Sequence, residues 1–160
     1  MNRKYEWRWL FLLVIFSIVG FIWQQSTLSP VQSATQSDAV SEVVVPLLGG
    51  EESPLGGFVD RFIRKIAHFF EFFALALACE GYLFGRYTIK NTALQFAFGV
   101  AVAAVDEIIQ LFTGRGASLF DVCLDVVGFA VGAVLFRALA AAFFWIQIKR
   151  KDDAPDASSS

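Results

Sequence analysis

Hydrophobic and polar positions divide the chain into four long apolar runs. The first is Leu10 to Trp23, with Trp7 and Trp9 before it. The second, Ile66 to Leu83, is interrupted by His68, Glu71 and Glu80. The third, Thr92 to Phe112, carries Asp106, Glu107 and Gln110. The fourth, Leu119 to Ile146, carries Asp121, Asp125 and Arg137. None alternates with period 2, so the runs predict helices and not barrel strands. A helix needs ~20 residues to cross ~30 Å of hydrocarbon. The pattern therefore predicts an all-α, polytopic membrane protein, a four-transmembrane-helix bundle. Its membrane domain would cover 9–146, with helices at 9–25, 63–84, 91–112 and 118–146 and an outer loop at 26–60. Residues 1–8 would precede the first helix, and 147–160 would form a disordered tail.

Composition narrows the class. Of 160 residues, 56% are hydrophobic and 18% are charged, against ~25% charged in a typical soluble domain. A soluble domain of this size would expose large apolar patches. The shortage of charge excludes a disordered chain, a coiled coil and a nucleic-acid-binding domain. The two cysteines, Cys79 and Cys123, lie inside apolar runs and do not read as a disulfide framework.

Charge in the loops orients the bundle. Arg3, Lys4 and Arg8, then Arg86 and Lys90, then Lys149, Arg150 and Lys151 fall on one side of a chain that crosses four times. The segment 24–60 on the other side has acids but no Lys or Arg. The positive-inside rule then puts both termini in the cytoplasm. Arg61, Arg64 and Lys65 break this pattern, since they lie on the outer side. Arg3, Lys4 and Arg8 before an apolar core also suit a cleaved signal peptide. A cut after Ser33 would lie ten residues past Trp23, and three Trp are unusual for a signal core, so an uncleaved helix is expected. The 24–60 loop ends in Gly/Pro-rich sequence and reads as irregular, with Val43–Leu48 touching the membrane surface.

Ionisable residues inside a transmembrane helix are costly and mark function by default. At 100° per residue, Arg61, Arg64, Lys65, His68 and Glu71 share an arc of about 120°. Asp106, Glu107 and Gln110 span about 100° of the third helix. Asp121, Asp125, Gly128 and Gly132 form one stripe on the fourth. At 1.5 Å per residue, His68 and Gln110 lie about 5–6 Å below the outer boundary, and Glu71, Asp125 and Asp106 about 9–12 Å below it. Three helices thus aim polar groups into one shell near the outer leaflet. Arg61, Arg64, Lys65 and Arg115 there oppose Glu71, Asp106, Glu107, Asp121 and Asp125, and this network would hold cations outside against the usual rule.

His68, the only histidine, is the candidate general acid, base or nucleophile. Arg115 suits a bidentate phosphate or carboxylate clamp. Asp106 and Glu107 read either as site residues or as partners for Arg or Lys. Asp121 divides between the site and a capping box with Ser118. Gly128-x-x-x-Gly132 reads as close helix packing. Glu80 is expected to pair locally or face a small cavity, and Arg137 to snorkel to the inner surface. One His and several carboxylates lack any zinc-ligand spacing, so no metal and no cofactor are expected. No G-x-S-x-G, Walker A or dinucleotide fingerprint is present.

The residues Lys65-x-x-His68 with Glu71-Phe72, Asp106-Glu107-x-x-Gln110-x-Phe112-x-x-Arg115-x-x-Ser118-x-x-Asp121, and Asp125-x-x-Gly128-x-x-x-Gly132 resemble the VanZ-like family. The resemblance runs from Trp7 to Arg137. Phe72 stands where that family usually has Tyr, which removes a hydroxyl. Asp125 stands where it often has Asn, which adds a charge for Lys65 or an Arg to balance. The resemblance implies a protein of the bacterial cell envelope, in the cytoplasmic membrane, of a family named for teicoplanin resistance.

Three functions fit these residues. The first is recognition, with or without modification, of an anionic envelope lipid or lipid-linked headgroup. Lys65 and Arg115 would bind it, with Glu71, Gln110 and Asp125 lining the pocket. His68 would transfer a proton or attack, with Asp106, Glu107 or Asp121 setting its tautomer. The second is ion-coupled transport, which with four helices would need a homodimer. The third is a non-catalytic assembly factor.

Overall fold

The computed structural model describes residues 6–28, 56–115 and 118–152. Among the described residues there are four helices and no strand: α1 Glu6–Thr27, α2 Gly56–Leu83, α3 Ile89–Phe112 and α4 Leu119–Asp152. All four are long and apolar enough to cross a membrane. The outer loop, including Val43–Leu48, lies outside the described residues except at its ends. Those ends are helical: α2 begins at Gly56, seven residues before its expected start. The tail also departs from expectation, because α4 continues to Asp152 and not to Ile146. No Gly or Pro interrupts Gln147–Asp152, and Lys149, Arg150 and Lys151 complement the negative end of the helix dipole.

Helix α2 packs most extensively against α4, with α1 covering another of its faces. Small residues on α4 make the close approach. A methyl added at Gly128 would strike the Phe69 carbonyl oxygen, and one at Gly132 would lie 2.6 Å from the Phe73 carbonyl oxygen. The Gly128–Gly132 stripe is therefore a backbone-to-backbone contact. Many large apolar side chains, Leu13, Phe16, Leu111, Phe112 and Leu119 among them, point outward, as a hydrocarbon solvent allows.

The bundle interior has three layers. The middle is apolar: Phe72, Leu75, Ala76, Val102, Ala103 and Phe129 are buried there. Phe129 lies over Gly99 and meets the edge of Phe96 at 5.6 Å. The buried face of α3 shows the layering, running from Gln95 through Gly99, Val102 and Ala103 to Asp106, Glu107 and Gln110.

One polar layer joins α2, α3 and α4 near the α2–α3 turn. Arg137 does not snorkel outward. Its Nη2 lies 2.8 Å from Glu80 Oε1, and its Nε donates to the same oxygen at 2.9 Å. Gln95 Nε2 also donates to Glu80 Oε1 (3.0 Å), and Arg137 Nη2 donates to Thr92 Oγ1 (3.2 Å). The guanidinium lies over the Tyr87 ring, 5.0 Å from its centroid. Glu80 is fully buried. An intramembrane arginine next to a buried carboxylate is better satisfied by turning inward than by reaching for the interface. The other polar layer holds the candidate site.

Candidate functional site

The second polar layer forms where the C-terminal ends of α1 and α3 meet the N-terminal halves of α2 and α4. The end of α3 is set by a glycine. Gly114 has φ +76, a backbone that other residues avoid. It lets Gly114 N–H return to Leu111 O and Arg115 N–H to Gln110 O (3.0 Å), the paired bonds of a Schellman turn. The chain doubles back, and Arg115 lies over the site.

Asp106 is the fully buried centre of the cluster. It accepts from Ser26 Oγ on α1 (2.5 Å) and from Gln110 Nε2 one turn along its own helix (2.7 Å). Thr113 Oγ1 donates to the Ser26 carbonyl (3.1 Å), tying the ends of α1 and α3 together. His68 stands beside this centre. Its Nδ1 lies 3.7 Å from Glu71 Oε2 and 3.8 Å from Asp106 Oδ2. Neither separation is a hydrogen bond, and both Nδ1 and Glu71 Oε2 are buried without a partner. Asp125 on α4 is 1% exposed, and its Oδ1 also lacks a partner.

The rim carries the remaining charges. Lys65 pairs with Asp121, and its ammonium lies 4.6 Å from the Phe120 ring centroid. Glu107 Oε2 accepts from the Ser118 backbone N–H at 2.7 Å. Arg115 Nη1 donates to the Gln25 carbonyl (3.0 Å). Among the described residues Arg115 forms no ion pair. Burial lowers its pKa from the ordinary value and the nearby Arg64 adds to this, while Asp106, Glu107 and Glu71 act in the opposite direction.

His68, Glu71, Asp106, Gln110 and Asp125 therefore converge, with Lys65, Asp121, Glu107 and Arg115 around them. The side chain of Arg61 lies outside the described residues. Several pairings differ from expectation. Asp125 is not balanced by Lys65, which reaches the shallower Asp121. Asp121 does not share a capping box with Ser118, because the Ser118 N–H goes to Glu107. Among the described residues, Asp106 and Glu107 accept from neutral donors and not from Arg or Lys. Of the three acids expected to orient His68, Asp106 stands beside it, whereas Glu107 and Asp121 are engaged elsewhere; Glu71 is its other neighbour. Ser26 and the Gln25 carbonyl were not expected in the site at all. The polar stretch Gln24–Thr27 is their only trace in the sequence, and it reads equally well as the start of a loop.

The model of the VanZ/LLP1 family matches residues 9–143. The chain belongs to the VanZ/LLP1 family. The match covers the described bundle except residues 6–8 and 144–152, and it includes every residue of this site. No curated protein and no solved structure shows significant similarity to it.

Proposed function

We propose that the site binds the anionic headgroup of an envelope lipid or lipid-linked molecule, and that His68 is the group through which such a headgroup is modified. Arg115 carries this reading. It is a half-buried guanidinium with one backbone acceptor and no carboxylate partner among the described residues. Such a fork suits a phosphate or carboxylate. Beneath it, His68 lies between Glu71 and Asp106, an arrangement fit for proton transfer. Lys65 would contribute its charge on exchanging Asp121 for the ligand. With both termini in the cytoplasm of a bacterial inner membrane, the pocket opens at the outer leaflet, at headgroup depth. A changed headgroup population there would give the family's link to teicoplanin tolerance a physical basis.

A proton or ion relay is less well supported. Phe72, Leu75, Val102 and Phe129 are buried between the two polar layers and offer no titratable group. An assembly factor would need the cluster only to hold the fold, and Arg115 contributes little to that.

Native mass spectrometry in mixed micelles tests the binding reading. The wild-type chain is expected to retain phosphatidylglycerol over phosphatidylcholine. Arg115→Gln should lower that preference about 10-fold, the loss of one charge-assisted contact worth ~1.4 kcal/mol, with thermal stability nearly unchanged. Equal retention of both lipids by the wild type would refute the reading.

A further inference from the structure

The deepest part of the site is built from three side chains on three different helices. One donor atom each from His68, Asp106 and Asp125 lies within 4.8 Å of the others. Asp106 is 0% exposed and Asp125 1% exposed. Neither carboxylate pairs with a lysine or arginine among the described residues, and Lys65 is held by Asp121. Asp125 Oδ1 and His68 Nδ1 are buried polar atoms without any partner. Two buried carboxylates close together beside an imidazole are costly unless a cation joins them.

We infer that His68, Asp106 and Asp125 form a binding site for a single divalent transition-metal ion of the zinc type. One imidazole nitrogen and two carboxylates suit zinc better than magnesium or calcium, which take all-oxygen sets, or Cu(I), which takes thiolates. Around one zinc ion the donors would stand about 3.3–3.5 Å apart, from metal–ligand distances of ~2.0–2.2 Å. Small side-chain rotations close the trio to that size. Its surroundings match those of a metal centre. Ser26 and Gln110 hold both oxygens of Asp106, as partners do that fix the orientation of a ligand. Three protein ligands leave a fourth position open. A phosphate oxygen of the headgroup proposed above could take it. The role of the ion rests on the headgroup reading above; its binding does not.

The test is Zn2+ titration of the chelator-stripped full chain in detergent, by calorimetry and by metal content after desalting. One Zn2+ per chain is expected. Asp125→Asn and His68→Gln should each weaken binding at least about 10-fold, while Glu107→Gln, a nearby carboxylate outside the trio, should not. Melting curves of the stripped variants establish that they remain folded. Substoichiometric binding by the wild type, or binding that survives both ligand substitutions, would overturn the inference. Zn2+ bound without phosphatidylglycerol retention would leave the metal site standing and remove the headgroup reading. Retention without Zn2+ would do the reverse.

Discussion

Glu80→Leu is expected to give the largest loss of stability of any single substitution in this bundle. The side chain is fully buried and accepts from Arg137 and Gln95 at one oxygen. Removing it leaves a guanidinium inside the hydrocarbon span with only Thr92 Oγ1, Gln95 Oε1 and the Tyr87 ring as partners. Breaking a buried ion pair from one side costs about 3–5 kcal/mol, and an unpaired arginine at mid-helix costs about 2.5–3.5 kcal/mol on insertion scales. The two figures describe the same loss and are not added. The double substitution Glu80→Leu with Arg137→Leu should recover most of it, because neither charge then remains. Unfolding of the four proteins in one detergent, analysed as a double-mutant cycle, checks this. A double variant as unstable as Glu80→Leu would show that the pair does not account for the effect.

Asp106→Ala is expected to cost about 2–4 kcal/mol. Two hydrogen bonds to a carboxylate set the upper end at about 1.5–3 kcal/mol each, and the average of about 0.6 kcal/mol for polar contacts inside membranes pulls the figure down. The effect should reach beyond α3, because Asp106 is the only acceptor the Ser26 hydroxyl has among the described residues. Loss of that bond should loosen the C-terminal end of α1. Hydrogen exchange is the direct measurement, and amides around Gln25–Thr27 should exchange faster in Asp106→Ala than in the wild type. Unchanged exchange there would mean that Thr113, which donates to the Ser26 carbonyl, suffices to hold α1.

Much of this was legible before any coordinates. Run length and the absence of period-2 alternation predicted four helices. The 100° advance per residue put His68 on one face with Glu71, and Asp106 on one face with Gln110. Helical periodicity says which way a residue points, however, and not what it meets. Asp121 and Asp125 share a stripe, so the pattern could not say which of them Lys65 would reach. Arg137 has a side chain long enough to point either way, and only the position of Glu80 on α2 decides that it turns inward. Helix α1 hid the most. Its buried stripe of Ile15, Val19, Ile22 and Ser26 differs little in hydropathy from its exposed Leu13, Phe16 and Phe21. A helix apolar all round carries no signal of its rotation, so Ser26 could not be aimed at Asp106 from sequence. At the end of α4, charge and polarity suggest disorder from 147 onward, but Gln147–Asp152 holds no Gly or Pro to stop the helix.

The central claim is that the cluster around His68 serves a ligand and does not merely lock the fold. His68 accepts or donates no hydrogen bond at Nδ1, so His68→Gln should leave the melting temperature of the metal-free protein within a few degrees of the metal-free wild type. The decisive measurement is the envelope-lipid headgroup profile, by mass spectrometry, of cells expressing the wild type or His68→Gln at matched protein levels. The account predicts that the wild type shifts the anionic headgroup population and that His68→Gln, folded and equally abundant, does not. Identical profiles from the two proteins would contradict it.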